Sequence, residues 1–237
     1  MDLKIKDVAD LLNVPETTIE QWLMDGKIPA YRINDQYLFN RCEIEDWVLK
    51  KKIGKNNGPS SFEKQQKETT GLPADKAVRG GSKQFSLYRA IHKGGVFQEV
   101  PGSTKKEVIK ATVSRIASEL DMDAEVVADL LLERERLQST ALNNGIGLPH
   151  TRDCLLTTNQ DVVTIVFPKN PIPYDALDGE PVHTLFFLFA CEDKNHLHLL
   201  AKIAHFTSQQ KTQELLRLKP SKQNLLEYIK DWESNIK

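Results

Sequence analysis

Residues 143–152 read NNGIGLPHTR and place two glycines and a proline directly ahead of a histidine. Glycine permits backbone angles that other residues rarely adopt, while proline fixes its own φ and pushes the preceding Leu148 towards an extended conformation. The segment is therefore predicted to be a tight, shaped loop that presents the imidazole of His150. A buried structural histidine needs no such setting, so we expect a functional role for His150.

The composition is that of a globular protein without a membrane segment. Of the 237 residues, 40% are hydrophobic and 27% are charged, which are ordinary values. No apolar run approaches the ~20 residues of a membrane helix, and the opening residues MDLKIK lack the plan of a signal peptide. The three cysteines, Cys42, Cys154 and Cys191, show no CxxC spacing and are expected to be reduced thiols. We expect a cytoplasmic protein.

Residues 53–84 separate two parts of the chain. This stretch is dominated by Gly, Pro, Ser, Gln and Lys, and it carries six basic against three acidic residues. Such a composition with little apolar periodicity predicts a flexible linker. The chain is therefore expected to hold an N-terminal domain in residues 1–52 and a C-terminal domain in residues 85–237, each with a net charge of −2.

The N-terminal domain has the pattern of three helices and a hairpin. Apolar spacing predicts helices at residues 5–12, 15–24 and 41–50. Alternation on both sides of Asn34 and Asp35 predicts a β-hairpin. Helix, turn, helix, hairpin and closing helix form the plan of a small winged helix-turn-helix domain.

The segment KIKDVADLLNVPETTIEQWLMDGKIPAYRINDQYLFNRCEIEDWV, residues 4–48, resembles the excisionase-like and MerR-like DNA-binding family. The resemblance implies that the second helix enters the major groove and that basic residues contact phosphates. The implied DNA contacts are Thr17, Thr18 and Gln21 in the groove and Lys27, Arg32 and Arg41 on the phosphates. A single copy would bind weakly, so a homodimer would be needed to read two half-sites.

A protein-interaction role is the alternative for this domain. DNA affinity depends heavily on neutralising phosphates, yet the domain is net acidic, and Glu16 and Glu20 belong to the proposed reading helix. The same three-helix shape can serve as a protein-contact module.

The C-terminal domain alternates helices and strands. Helices are predicted at residues 105–121, 124–138, 196–206 and 222–232, and short apolar runs at 162–167 and 183–190 are typical of buried strands. Alternation of this kind predicts an α/β sandwich around a central sheet.

Two segments of this domain resemble the type-2 enzyme IIA (EIIA) domain of the bacterial sugar phosphotransferase system, the fructose/mannitol type that includes the nitrogen-regulatory branch. They are LLERERLQSTALNNGIGLPH, residues 131–150, and ALDGEPVHTLFFLFACEDKNHLHLLAKIA, residues 176–204. The resemblance spans about 86–233 and implies a central mixed sheet flanked by helices. It also implies that His150 accepts a phosphoryl group from the phosphocarrier HPr or its nitrogen-branch counterpart, with Arg134 and His196 beside it.

The chemistry of these residue types fits phosphoryl transfer. A neutral imidazole has a free ring nitrogen near pH 7 and can attack phosphorus directly. The product carries about two negative charges and needs donors such as the guanidinium of Arg134. Further candidates for stabilising the phosphoryl group are Ser139, Thr140, Asn144, Gly145 and Gly147.

Helical periodicity distinguishes the histidines of residues 196–206, HLHLLAKIAHF. His196 shares a face with apolar residues three, four and seven positions later, while His198 and His205 face away. Only His196 is therefore expected to reach the site. His196 and His198 have the wrong spacing to share a metal, and we expect neither a metal nor a cofactor.

A DNA-binding domain joined to an EIIA-like domain favours a regulatory phosphocarrier. This would be a transferase component whose phosphorylation on His150 changes what it binds. Its partners would be HPr, DNA, and a downstream EIIB or a regulated target protein. One alternative is a DNA-binding regulator whose C-terminal domain only senses or dimerises. Another is a soluble EIIA that supplies a separate fructose- or mannitol-type permease.

Overall fold

The computed structural model of the protein describes residues 2–12, 14–33, 36–53, 85–151, 155–156 and 160–236. Among these residues, no helix combines the length and the hydrophobicity that crossing a membrane requires. The predicted linker lies outside the described residues except for Ile53, and Cys154 lies outside them too.

The N-terminal unit contains the predicted helices and hairpin. Its described elements are β1 (Asp2–Leu3), α1 (Ile5–Leu12), α2 (Glu16–Met24), β2 (Tyr31–Ile33), β3 (Gln36–Asn40) and α3 (Arg41–Ile53). The strand order is β1-β3-β2, and both pairings are antiparallel. The sequence does not predict β1, because two residues are too few to show alternation.

One apolar core holds these elements together. Ile19 and Trp22, one helical turn apart on α2, are buried against Phe39 of the hairpin and Ile44 of α3. This is the apolar spacing from which the helices were predicted.

The C-terminal unit forms around a five-stranded sheet. Its described elements are α4 (Ser86–Gly94), β4 (Val96–Val100), α5 (Lys105–Ile116), α6 (Ala124–Leu137), β5 (Ala141–Leu142), β6 (Ile146–Gly147), β7 (Val162–Pro168), β8 (Thr184–Phe189), α7 (Asp193–Thr207), α8 (Gln210–Arg217) and α9 (Lys222–Asn235). The strand order is β4-β7-β8-β6-β5. The β4–β7 and β6–β8 pairs are parallel, while β7–β8 and β5–β6 are antiparallel, so the expected mixed sheet is confirmed.

Helices cover both faces of this sheet. Residues of α4, α7, α8 and α9 pack on one face, and residues of α5 and α6 pack on the other. Every residue of β7 and β8 is buried, which is why their sequences are continuous apolar runs rather than alternating patterns. The result is a three-layer sandwich whose central strands lie deep in the core.

The two units are in contact through α7. Helices α1 and α3 lie against it, Leu11 packs against the C-terminal core, and Ala201 packs against the N-terminal core. The side of α7 that carries His196 thus faces the N-terminal unit.

Candidate functional site

His150 follows the β5–β6 hairpin and lies beside the central strand β8. The backbone N–H of Leu188 donates to the carbonyl of Pro149 at 3.0 Å, and His150 forms a parallel bridge with Leu188. The hairpin turn uses left-handed backbone at Asn144 (φ 65°) and Gly145 (φ 72°). The loop expected around the histidine is therefore a hairpin whose exit is fixed to the sheet next to the imidazole.

A backbone carbonyl sets the tautomer of His150. Its Nδ1 atom lies 2.7 Å from the carbonyl oxygen of Leu148. A carbonyl oxygen can only accept, so Nδ1 carries the proton and donates it. The lone pair of the neutral ring is therefore on Nε2, which makes Nε2 the nucleophilic atom, a choice that the sequence leaves open.

His196 lies in the first turn of α7 and faces His150. The two ring centroids are 5.4 Å apart. Burial, followed by electrostatic interactions with His150, Arg41 and Arg134, lowers the pKa of His196 well below its ordinary value, so His196 is neutral at pH 7. His198 instead contacts Ser86 and His205 contacts Trp232, which confirms the face of the helix expected from periodicity.

Arg134 extends from the last turn of α6 and is buried. Its Nη1 donates to the carbonyl of Gln138 at 3.1 Å, and its Nη2 donates to Asp46 at 3.3 Å. Asp46 belongs to α3, so the guanidinium predicted to serve a phosphoryl group is engaged by a carboxylate of the N-terminal unit.

Helix α3 also places Glu45 at the site. One Glu45 carboxylate oxygen lies 3.7 Å from Nε2 of His196 and 3.0 Å from Nε of Arg41. The Glu45 side chain is 1% exposed, and His150 is 0% exposed. The expectation of an openly presented imidazole is therefore wrong for this arrangement, because α3 lies over the ring.

Glu45, His150 and His196 also form a group of potential metal ligands. Their ligand atoms all lie within 4.8 Å of one another, and all three residues are buried. Two histidines and a carboxylate are a donor set that zinc uses, with ligand atoms about 3.3 Å apart in a tetrahedral site. The expectation of no metal rests on the spacing of His196 and His198 and on the lack of a carboxylate to complete a site. Glu45 is such a carboxylate, and nothing in the sequence places it here.

Comparison with known proteins identifies the C-terminal unit. Residues 89–232 match the family model described as phosphoenolpyruvate-dependent sugar phosphotransferase system, EIIA 2. The chain belongs to this EIIA 2 family. Residues 3–52 match a helix-turn-helix domain model.

Relatives of the EIIA domain include nitrogen regulatory proteins. That of Pseudomonas aeruginosa is 34% identical over 149 residues, which cover 61% of this chain and 95% of the relative. That of Escherichia coli is 33% identical over 132 residues, 55% of this chain and 80% of the relative. The structure of nitrogen regulatory protein IIA-Ntr from Neisseria meningitidis matches at 28% identity with a TM-score of 0.51, covering 56% of this chain and 91% of that one.

The residues predicted to stabilise a phosphoryl group mostly shape the EIIA domain around the site. Ser139 donates to the carbonyl of Tyr174 at 2.7 Å, and the backbone N–H of Asn144 donates to Asp178 at 2.7 Å. A Cβ on Gly145 would lie 2.5 Å from His183, and one on Gly147 would lie 2.5 Å from Leu185. Both glycines thus allow β6 to approach β8. Direct phosphoryl contacts by Ser139, Thr140, Asn144, Gly145 and Gly147 remain predictions.

Glu135 is a structural residue that the sequence analysis misses. Its buried carboxylate accepts from the hydroxyl of Thr140 at 2.6 Å and from the backbone N–H of Thr140 at 3.1 Å. Burial raises the pKa of Glu135, although the Thr140 bonds oppose the shift. Glu135 lies four residues after Leu131 on the buried face of α6. An acidic residue at an apolar position of the helix is the sequence signal that could have identified it.

The predicted DNA contacts divide into two groups. Thr17 and Gln21 are exposed on α2, and Thr18 is half-buried. Arg32 is exposed and lies over the ring of Tyr37. The other two cations form ion pairs: Lys27 with Asp25 at 2.6 Å, and Arg41 with Asp193 of the EIIA domain at 2.6 Å.

Proposed function

We propose that this chain is a phosphohistidine carrier of the phosphoenolpyruvate-dependent phosphotransferase system. It accepts a phosphoryl group from HPr, or from the nitrogen-branch counterpart of HPr, on Nε2 of His150. The observation that carries the proposal is the fixed tautomer of His150, which faces a second, neutral histidine with arginines nearby. Its reaction class is transferase, and each carrier is loaded once per cycle.

The transfer itself needs no proton movement. The Nε2 lone pair forms the new N–P bond while the bond from phosphorus to the donor atom of phosphorylated HPr breaks. The electron pair of that bond returns to the donor. The proton on Nδ1 stays in its bond to the Leu148 carbonyl, which also stabilises the positive charge that develops on the ring.

The charge of the transferred group is met by arginine and histidine. Among the described residues, Nε of Arg134 in the EIIA domain is buried without a hydrogen-bond partner, so it has an N–H to donate. Neutral His196 has an N–H and a lone pair and can donate to a phosphoryl oxygen. Phosphoryl transfer depends mainly on positioning and charge stabilisation, which these groups supply.

A regulatory role fits this carrier better than sugar uptake. Several of its relatives are named nitrogen regulatory proteins, and it carries a helix-turn-helix domain. As a partner of HPr it would work in the cytoplasm. A regulated target protein is the favoured recipient of the signal, and an EIIB that receives the phosphate is the alternative.

The carrier proposal is tested by incubation with phosphoenolpyruvate, enzyme I and HPr. Wild type is expected to gain one acid-labile phosphate, mapped by mass spectrometry to His150. His150→Ala should gain none, while His92→Ala, which changes an exposed histidine, should behave as wild type. Equal labelling of His150→Ala and wild type would overturn the proposal.

DNA binding is a second proposed activity, favoured by the exposed face of α2. Thr17 and Gln21 lie on that face, away from the contact with the EIIA domain. They would read base edges as part of a homodimer, while Lys27, Arg32 and Arg41 contact phosphates. The acidic charge of the domain predicts modest affinity at physiological salt.

Gel shifts with random-sequence duplexes test this activity. Wild type should give a shift that weakens as salt rises, and Arg32→Ala should weaken it further and reduce the salt dependence. Glu180→Ala, on an exposed loop of the EIIA domain, is the control. A salt-insensitive result or no shift would favour the protein-contact module.

A further inference from the structure

The contact between α3 and the phosphorylation site lies outside the function proposed above. We propose that the N-terminal domain is a reversible cap on His150, in which Glu45 occupies the position of a phosphoryl group, so that capping and phosphorylation exclude each other. This inference rests on the proposed carrier function and concerns the regulation of the same site.

The first argument is steric. HPr has to bring its phosphorus atom to Nε2 of His150, but the His150 side chain is completely buried and His196 is 3% exposed. The Glu45 side chain is 1% exposed. Its carboxylate lies close to both imidazoles, because the ligand atoms of the three residues are within 4.8 Å of one another. A carboxylate and a phosphoryl group cannot occupy this space together. The cap must therefore leave before the donor can reach the ring.

The second argument is electrostatic. Glu45 bonds to Arg41 of the same helix, and Asp46 bonds to Arg134 of the EIIA domain. Both guanidinium groups act electrostatically on His196 and lower its pKa. A carboxylate resembles a phosphoryl group in sign and in how it accepts from guanidinium. Phosphorylation would add about two negative charges next to Glu45 in a buried site. The negative charges of the phosphoryl group and Glu45 would be neighbours, and like charges repel strongly where water is excluded.

The remaining contacts of the cap favour reversible closure. Arg41 reaches across to Asp193, whose side chain is 58% exposed, and a pair exposed to this degree contributes little stability. The Arg134–Asp46 pair is less exposed, with Asp46 at 21%. The apolar part of the contact includes Leu11 of α1 and Ala201 of α7. A contact built in this way can open without unfolding either domain.

Thermodynamic linkage makes the effect reciprocal. If closure lowers the affinity of the site for a phosphoryl group by some factor, phosphorylation disfavours closure by the same factor. Closure also slows loading, because only the open fraction can meet HPr. We expect variants that open the cap to accept phosphate between about 5-fold and 150-fold faster, the range typical of coupling between sites.

The cap is tested without phosphate by labelling full-length protein with diethyl pyrocarbonate, which acylates accessible neutral imidazoles. Mass spectrometry follows His150, with exposed His92 as the internal reference. The opening variants are Glu45→Ala and Asp193→Ala. The matched control is Glu43→Ala, an exposed acid on the same helix.

In wild type and Glu43→Ala, His150 should label slowly. In Glu45→Ala it should label at least about 5-fold faster, and in Asp193→Ala, which loses only one exposed ion pair, up to about 5-fold faster. His92 should label equally in all four proteins. Asp193→Ala changes only an exposed side chain at the start of α7, so it provides a second opening variant if Glu45→Ala does not fold. Labelling of His150 in wild type as fast as that of exposed His92 would overturn the cap.

The mutual exclusion of capping and phosphorylation is tested by measuring how fast the same four proteins take phosphate from limiting phosphorylated HPr. Faster loading of the opening variants, with Glu43→Ala equal to wild type, supports it. Equal loading of all four overturns it and leaves the carrier function intact. If no protein takes phosphate on His150, the carrier function fails and the exclusion fails with it, while the labelling result still decides whether the cap exists.

Discussion

The imidazoles of His150 and His196 lie side by side at the site, but different interactions control their protonation. The Leu148 carbonyl fixes the ring of His150 through Nδ1, whereas His196 is kept neutral chiefly by burial. A neutral His196 offers a donor without placing a second positive charge beside the nucleophile. At this scale the site is an oriented nucleophile with an uncharged neighbour.

This neutral histidine predicts a pH dependence of stability. In the unfolded chain His196 has its ordinary pKa near 6.5, so below that pH the unfolded state binds a proton that the folded state excludes. Stability from this source is complete above about pH 6.5 and falls by up to about 1.4 kcal/mol per pH unit below it.

Urea unfolding at pH 7.5, 6.5 and 5.5 provides the measurement. The free energy of unfolding of His196→Asn should decline less over this range than that of wild type. His183, whose pKa is also lowered by burial, is common to both proteins and cancels in the difference. Identical pH profiles would contradict the expectation.

The β5–β6 hairpin is the element that positions the nucleophile. Its parallel pairing with β8 aligns Ile146 with Thr184 and Gly147 with Leu185, and the chain then continues along β8 to His150. The pairing needs close approach, since the Gly145 carbonyl accepts from the backbone N–H of His183 at 2.8 Å. A side chain at Gly145 would therefore disturb the strand that precedes the histidine.

The substitution Gly145→Ala tests this role against Gly179→Ala. Both glycines have φ 72°, but the added methyl meets His183 at 2.5 Å in the first case and nothing within 4 Å in the second. Left-handed strain of about 1–2 kcal/mol is common to both. The clash should cost Gly145→Ala about 1–3 kcal/mol more.

Thermal or chemical unfolding compares the two variants, and phosphate uptake from HPr follows the site. Gly145→Ala should lose both stability and uptake, whereas Gly179→Ala should lose only a little stability. Equal losses in the two proteins would show that crowding against β8 does not position His150.

Sequence patterns predicted most of the elements, and the family resemblance predicted that His196 lies beside His150, as it does in the structure. The long helices and the buried strands β7 and β8 have strong periodicity or continuous apolar runs, and the distinction between His196 and His198 follows from helical spacing alone. The two-residue strands β5 and β6 carry no pattern. Glu45 could not be placed either, because the contact between two domains depends on tertiary packing that local sequence does not encode.

At the scale of the whole molecule, one helix serves two domains. Helix α3 completes the N-terminal core through Ile44 and contacts the EIIA domain through Arg41, Glu45 and Asp46. Both sets of residues belong to the same short segment of the helix. Under the proposed function, a change at His150 would therefore reach the N-terminal domain without an intervening chain of residues.

Small-angle X-ray scattering of the full chain tests the change in shape that this implies. The radius of gyration should increase on phosphorylation, and Glu45→Ala should show a larger radius than wild type before phosphate is added. His150→Ala treated with the same relay should stay at the wild-type value. An unchanged radius in the phosphorylated protein would contradict the expected release.

The backbone bond between Leu188 and Pro149 has a kinetic consequence. It ties the backbone of His150 to a strand that is buried along its whole length, and the bond from Nδ1 to the Leu148 carbonyl orients the ring. In the proposed reaction, the incoming carrier and the departing cap would therefore move, while the acceptor is already oriented. Turnover in such a relay would be paced by encounter and clearance rather than by rearrangement of the acceptor.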